Sequence, residues 1–256
     1  MPSDRSPEQP GTGIISLRPL PSWLATAQTL LDLVYPPRCA ACQGPGGVYC
    51  AACQENIEFI QPPSCPLCGQ STRTGQLCRS CRSRPLQIDG IRAVGYLEGG
   101  LRTAIHRFKY SNLRALAAPL ANLAIKYLNQ CCPPVEALVP VPLHAGRLRE
   151  RGYNQAALLA RQMGEAIGVP VVEGALLRVK STAPQVGLSA DQRRKNVEGA
   201  FQCTGTGFEG KSVLLVDDVC TTGATLEACS IALRQAGAKK VWALVLARER
   251  WVEHRE

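Results

Sequence analysis

The sequence predicts a mostly parallel α/β sheet flanked by helices, with a small cysteine-rich module on its N-terminal side. Three observations predict it. From Ile88 onward, short apolar runs rich in Val, Ile and Leu alternate with segments of helical periodicity. Between residues 36 and 84 the large apolar side chains give way to Cys, Pro and Gly, and eight of the 13 cysteines fall there as four CxxC pairs. The full chain of 256 residues, 45% apolar, is ample for one complete core with a smaller appended module.

Residues 1–21 contain Pro2, Pro7, Pro10, Pro19 and Pro21 with little to bury, which predicts a disordered tail. Ser22 caps a short helix, WLATAQTLLDLVY, striped by Leu24, Leu30, Leu31 and Val34 and stopped by Pro36 and Pro37. Its lack of cations favours packing on its own domain over lying on a membrane. This helix and the cysteine module make one region, 22–84; the sheet occupies 88–250. Within the latter, IRAVGYL reads as a strand, and GLRTAIHRFKY and NLRALAAPLANLAIKYLNQ as helical stretches. ALVPVPL is a buried strand, and NQAALLARQMGEAIG a helix closed by Gly168. VPVVEGALLRV is a further strand region, and Lys180 to Gly199 a polar, basic stretch. KSVLLVDD, ATLEACSIALRQAGA and VWALVLAR complete the order as strand, helix, strand.

No apolar run approaches the ~20 residues of a bilayer span. MPSDRSPEQPGTG lacks the apolar segment of a signal peptide. The expectation is a soluble, cytoplasmic protein with no membrane insertion. Its net charge of +9 points to acidic partners: phosphates, nucleic acid or an anionic surface.

The cysteine pairs are Cys39–Cys42, Cys50–Cys53, Cys65–Cys68 and Cys78–Cys81. In a reducing compartment such pairs are better explained by metal than by disulfides. Thiolates two residues apart on a tight turn converge on one tetrahedral Zn²⁺, and a second pair closes the site. Closeness in sequence favours two consecutive sites, with an interleaved pairing as the alternative. Four cysteines per ion leave no open coordination position, so both zincs are expected to be structural. Arg73, Arg79, Arg82 and Arg84 cluster on the second half, either solvating it or forming a docking surface for a partner or nucleic acid.

VLLVDDVCTTGATL carries the chemistry. Asp217 and Asp218 end a strand, Ser212 to Val216, at the carboxyl edge of the sheet, where open α/β folds bind ligands. Thr221, Thr222, Gly223, Ala224 and Thr225 then lead into a helix, small residues that let backbone N–H groups face one phosphate. The nucleotide-binding pattern GxxxxGK[ST] is absent. Paired acids beside a phosphate cradle suit a sugar phosphate. Cys220 is either a small loop residue or an exposed, oxidation-sensitive thiol.

This stretch resembles the phosphoribosyl pyrophosphate (PRPP) binding motif of type I phosphoribosyltransferases. VPVPLHAGRLRERGYNQAALLA, Val139 to Ala160, resembles the pyrophosphate-loop segment of the competence protein F (ComF) family. STAPQVGLSADQRRKNVEGAF, Ser181 to Phe201, resembles that family's flexible loop, and LLDLVYPPRCAAC, CPLCG and IHRFKY agree with it. The resemblance covers residues 22–250 and implies a type I phosphoribosyltransferase-like sheet with a double zinc ribbon. It implies that Asp217 and Asp218 contact the ribose hydroxyls and Thr221 to Thr225 the 5′-phosphate, with Mg²⁺ accompanying PRPP. Arg147 and Arg151, with Lys180, Gln185, Arg193 and Arg194, then belong to the pyrophosphate and flexible loops. Arg147, Arg149 and Arg151 follow one strand edge, and Lys195 joins the basic loop; such cations screen a departing pyrophosphate, and a mobile lid would exclude water. His106 is read as a surface or packing residue, and His144 as a weak candidate for the pyrophosphate side. Nothing resembles a glutaminase domain.

Two functions follow from the resemblance. One is transfer of the phosphoribosyl group to a nitrogen nucleophile. The other is a competence protein acting in DNA uptake through single-stranded DNA or a DNA-uptake helicase, its phosphoribosyltransferase fold non-catalytic. At 5% aromatic residues an extensive base-stacking platform is not expected, so DNA contact would run through phosphates.

Overall fold

The computed structural model describes residues 37–180, 189–205 and 207–250. The expected tail, the helix after Ser22 and Gln185 lie outside the described residues. In chain order the elements are α1 (Ala51–Glu55), α2 (Arg79–Ser83), β1 (Gly90–Tyr96), α3 (Gly99–Tyr110), α4 (Ala117–Cys131), β2 (Ala137–Pro140), α5 (Ala145–Arg151), α6 (Gln155–Ile167), β3 (Leu176–Arg178), α7 (Ala190–Val197), β4 (Phe201–Cys203), β5 (Ser212–Cys220), α8 (Ala224–Gln235) and β6 (Lys240–Arg248).

Four strands form a parallel sheet in the order β1-β6-β5-β2, as the alternation of apolar runs and helices predicts. Both faces are covered, which is why the strands read as nearly continuous apolar runs. Val213 and Leu215 face one core, with Ile91, Ala93, Val241 and Ala243 and the apolar side of α8. Leu214 and Val216 face the other, with Val94, Leu138, Leu244 and the buried stripes of α3, α4 and α6. In α3 that stripe is Leu101, Ala104, Ile105 and Phe108, the i, i+3, i+4, i+7 pattern of one helical face.

Three sequence expectations need correction. The strand expected in VPVVEGALLRV does not join the main sheet: Leu176–Arg178 pairs antiparallel with β4 as a separate two-stranded ribbon, and Val171 makes a single parallel bridge to Leu138. The basic stretch after Lys180 contains a helix, α7. Its signal was the capping box: Ser189 Oγ accepts from Gln192 N at 3.3 Å, and Gln192 Oε1 accepts from Ser189 N at 2.8 Å. The strand expected to end at Val216 continues through both acids to Cys220, because β6 runs beside it and pairs Asp217 with Val245 and Cys220 with Arg248.

The cysteine module closes the open edge of the sheet. Ile60 N donates to Val94 O and Tyr96 N to Glu58 O, each at 3.1 Å, and Phe59 bridges Gly95 in antiparallel sense, so this segment lies along β1. A bare parallel edge would expose a row of unpaired amides. Further along, Ile91 N donates to Leu67 O at 2.8 Å and Ser71 Oγ lies 2.7 Å from Tyr96 Oη. The two halves of the module pack on opposite faces: Cys39 and Cys50 belong to the core that holds α3 and α4, and Cys65, Cys68 and Cys81 to the core that holds α8.

Contact at the edge is tight at Gly69, whose φ is +72° and where an added Cβ would lie 2.4 Å from the Ile91 carbonyl oxygen. Gly69→Ala is therefore expected to cost about 2–4 kcal/mol, from positive-φ strain and the clash together. A urea melt would read this as a lower midpoint at unchanged slope; an unchanged midpoint would show that the module shifts freely on the strand.

Candidate functional site: an acid pair in a cationic cleft beside two cysteine clusters

The eight cysteines converge as two consecutive groups, Cys39, Cys42, Cys50, Cys53 and Cys65, Cys68, Cys78, Cys81, with the sulfurs of each group within 4.8 Å of one another. The interleaved alternative is thereby excluded. A tetrahedral ion with Zn–S bonds of about 2.3 Å requires sulfurs about 3.8 Å apart. The Cys42–Cys50 and Cys68–Cys78 sulfurs are each 3.7 Å apart. Backbone amides point at the sulfurs, with Ala41 N and Cys50 N both 3.4 Å from Cys39 Sγ. Burial would raise the Cys39 thiol, but N–H donors from Cys50, Cys42 and Ala41 outweigh it and bring the thiol down to about 6. A closed set of four converging cysteine sulfurs fits a structural zinc ion at both positions.

At the carboxyl edge of the sheet lies a cleft of about 870 Å³. Strand β5 brings Asp217 and Asp218 into it, and the turn that follows brings Thr221, Gly223, Ala224 and Thr225. Gly223 has φ +83°, the left-handed conformation that lets the chain swing from strand into α8 and that a side chain would strain. Asp218 is buried, and Lys109 Nζ lies 2.6 Å from its Oδ1. Asp217 Oδ1 accepts from Asp218 N at 2.8 Å. Burial and the neighbouring Asp218 charge raise the Asp217 carboxyl to about 7, against the opposing pull of Lys109.

The opposite wall is cationic. Arg147 and Arg151 line the cleft from helix α5 rather than from a strand edge, joined by Arg178 from β3 and Arg193 from α7. Burial, and Arg147 nearby, lower the Arg178 guanidinium from its usual value. Arg193 meets Glu249, another lining residue, at 3.6 Å.

The RGYNQ stretch is a clip for this wall. Gly152 ends α5 at φ +74°, and Asn154 caps α6 by accepting from Ala156 N at 3.0 Å while donating to Val141 O at 3.0 Å. Tyr153 Oη and Gln155 Nε2 both donate to the Phe108 carbonyl, which fixes the end of α3 and with it Lys109 and Tyr110. Arg151 donates to Gln155 Oε1 at 2.7 Å, and its guanidinium lies 5.1 Å from the Tyr110 ring centre.

Of the residues singled out in the sequence, Asp217, Asp218, Thr221, Gly223, Ala224, Thr225, Arg147, Arg151 and Arg193 share this cleft. Thr222 and Arg194 do not line it: they border a small cavity beside Cys68, Cys78 and Cys81, and Arg194 pairs with Asp191 at 3.0 Å. Lys180 turns to the Glu198 carbonyl at 3.1 Å. His144 caps α5, its Nδ1 accepting from Gly146 N at 3.2 Å, and His106 packs on Tyr110 with ring centres 4.8 Å apart. Cys220 is buried, and burial raises its thiol to about 11, so the exposed, oxidation-sensitive thiol is corrected to a packed one. Sequence reasoning missed Lys109, Arg178 and Glu249. Lys109 stood in the quoted IHRFKY; nothing in LLRV marked Arg178, since its place depends on the β3–β4 pairing.

The double zinc ribbon domain family matches residues 30–82, and the phosphoribosyl transferase domain family residues 148–255. Competence protein F of Haemophilus influenzae is 36% identical over 224 residues, 82% of this chain and 96% of that protein. The DNA utilization protein YhgH of Escherichia coli K12 is 29% identical over 224 residues, covering 83% and 98%. Competence protein ComFC of Bacillus subtilis is 28% identical over 195 residues, covering 73% and 78%. The parallel sheet with its acid-pair loop and the two four-cysteine clusters on its edge strand are the two domains that these matches name. The chain belongs to the competence protein F family, a phosphoribosyltransferase-like fold joined to a double zinc ribbon.

Proposed function

We propose that the cleft binds PRPP and that the protein acts in DNA uptake, in a reducing cytoplasm where its eight paired thiols hold zinc. One observation carries the ligand reading. An acid pair, a turn at the start of a helix and four arginines share one cleft. In this reading Asp217 and Asp218 take the ribose hydroxyls, and Thr221, Gly223, Ala224 and Thr225 of the turn and helix start take the 5′-phosphate. Arg147, Arg151, Arg178 and Arg193 face the pyrophosphate, and Mg²⁺ arrives with it. Such donors, held in place before the leaving group departs, would favour phosphoribosyl transfer to a nitrogen nucleophile.

The test is calorimetric titration of the zinc-loaded protein with Mg²⁺–PRPP, beside the Asp217→Ala/Asp218→Ala double variant. Saturable binding that the variant loses is expected; no saturable heat from a folded wild type would overturn the reading. Arg147→Ala/Arg151→Ala is expected to weaken affinity about tenfold to a hundredfold, the loss of two charge-assisted contacts. Pyrophosphate release on adding nitrogen nucleophiles separates transfer from binding alone.

A second reading has its own observation. Arg73, Arg79 and Arg82 on the second ribbon are exposed and have no ion-pair partner among the described residues. They suit the phosphates of single-stranded DNA, with affinity falling steeply as salt rises.

A further inference from the structure

We infer that Arg248 is a positioning residue that joins the second four-cysteine site to the Thr221 to Thr225 turn, so that metal held by Cys65, Cys68, Cys78 and Cys81 sets how firmly that turn is held. The consequence for PRPP rests on the reading above; the linkage itself does not.

Arg248 is the last residue of β6, 3% exposed, in register with Tyr96 on the ribbon side and Cys220 on the other. Its guanidinium donates through Nη1 to the Cys68 carbonyl. No carboxylate pairs with it among the described residues, and its Nε is buried without a hydrogen-bond partner. A buried guanidinium requires a counter-charge. A divalent ion held by four thiolates carries a formal charge of about −2 and supplies one. The side chain is therefore matched to a metal-loaded second site.

The same residue abuts the turn. Glu249, next in the chain, donates its N–H to the Cys220 carbonyl at 3.2 Å, and its carboxylate lines the cleft. Thr222, Cys68, Cys78, Cys81 and Arg248 border one small cavity, so cluster and turn face each other across it. Two other contacts tie the turn and α8 to the end of this half of the ribbon and to the segment that leads from it into β1. An added Cβ on Gly223 would lie 3.0 Å from Ile91 Cδ1 and 3.3 Å from Leu86 Cδ1. Glu227, in the first turn of α8, accepts from Gln87 N and from Arg84 Nη1, each at 3.2 Å. The first cluster packs on the other face of the sheet and is the internal control.

The experiment compares the wild type with Arg248→Met and Arg248→Lys, all zinc-loaded. Pulsed thiol alkylation read by peptide mass reports the two clusters separately, and hydrogen exchange reports the amides of 219–226. In Arg248→Met, alkylation of Cys65, Cys68, Cys78 and Cys81 and exchange in the turn are both expected to accelerate about tenfold, the scale of an ordinary coupling. Alkylation of Cys39, Cys42, Cys50 and Cys53 stays unchanged, and Arg248→Lys, which keeps the charge, falls between. If Arg248→Met does not fold, Arg248→Lys against wild type carries the comparison. A folded variant with unchanged rates at both cluster and turn would overturn the inference. Adding Mg²⁺–PRPP should slow alkylation of the second cluster in the wild type and not in Arg248→Met. Coupling without that protection would overturn the consequence for PRPP and leave the linkage standing, while absence of saturable heat in the calorimetric titration retires the PRPP reading by itself.

Discussion

Asp217→Asn is expected to stabilise the fold at pH 8 while removing most of the affinity for Mg²⁺–PRPP. The carboxyl is raised from 3.8 to about 7, first by burial and then by Asp218. Between those values the folded protein keeps a proton that the unfolded chain has lost. Stability therefore falls as pH rises from about 4 to about 7 and levels off above it. Asparagine has no proton to lose and escapes that fall. After allowing for the partial exposure of Asp217, the gain is roughly 1–2 kcal/mol, or a few degrees of melting temperature. The gain should be present at pH 8 and largely gone at pH 5. Ligand binding runs the other way, because ribose hydroxyls are best held by an ionised carboxylate. Wild-type affinity is expected to rise between pH 6 and 8, and Asp217→Asn, weaker by about a hundredfold, supplies the baseline for the titration of the phosphates themselves. Equal stability of the two proteins at pH 8 would show that the pair is not strained in the free site.

Removal of zinc is expected to unfold the sheet domain along with the ribbon. Structural zinc contributes roughly 10–16 kcal/mol per site in small peptides, against the 5–15 kcal/mol by which a whole domain is ordinarily stable. Cys65, Cys68 and Cys81 share a core with Ile91, Ala93 and Val245, and the segment through Phe59 covers the edge of β1. A strong chelator should therefore lower the melting temperature by more than about 10 °C and leave one cooperative transition. Deleting residues 38–84 should give insoluble protein, because the bare edge and the apolar faces of Gly90–Tyr96 would be exposed. A truncated chain that stayed soluble with its own sharp transition would make the ribbon an independent appendage.

Much of the candidate site was legible because it is local in sequence. VLLVDDVCTTGAT puts acids, turn and helix start within 13 consecutive residues, and the CxxC pairs announce their chemistry by spacing. What was missed is non-local. Lys109 reaches Asp218 only because Tyr153 and Gln155 clamp the Phe108 carbonyl. Arg178 reaches the cleft only because β3 pairs with β4, and the burial of Cys220 depends on β6 running to Arg248.

By itself the sequence determined the parallel α/β class, the eight cysteine ligands for two metal ions though not their pairing, and the strand-acid-turn motif. Each is written in periodicities and spacings shorter than about 15 residues, the range over which a helix, a strand or a metal knuckle is specified. Only the tertiary structure decided that the ribbon closes the sheet edge, which face each cluster takes, which arginines share the cleft with the acid pair, and how far Asp217 is shifted. Those depend on burial and on charges brought together from distant segments, and no local spacing encodes either.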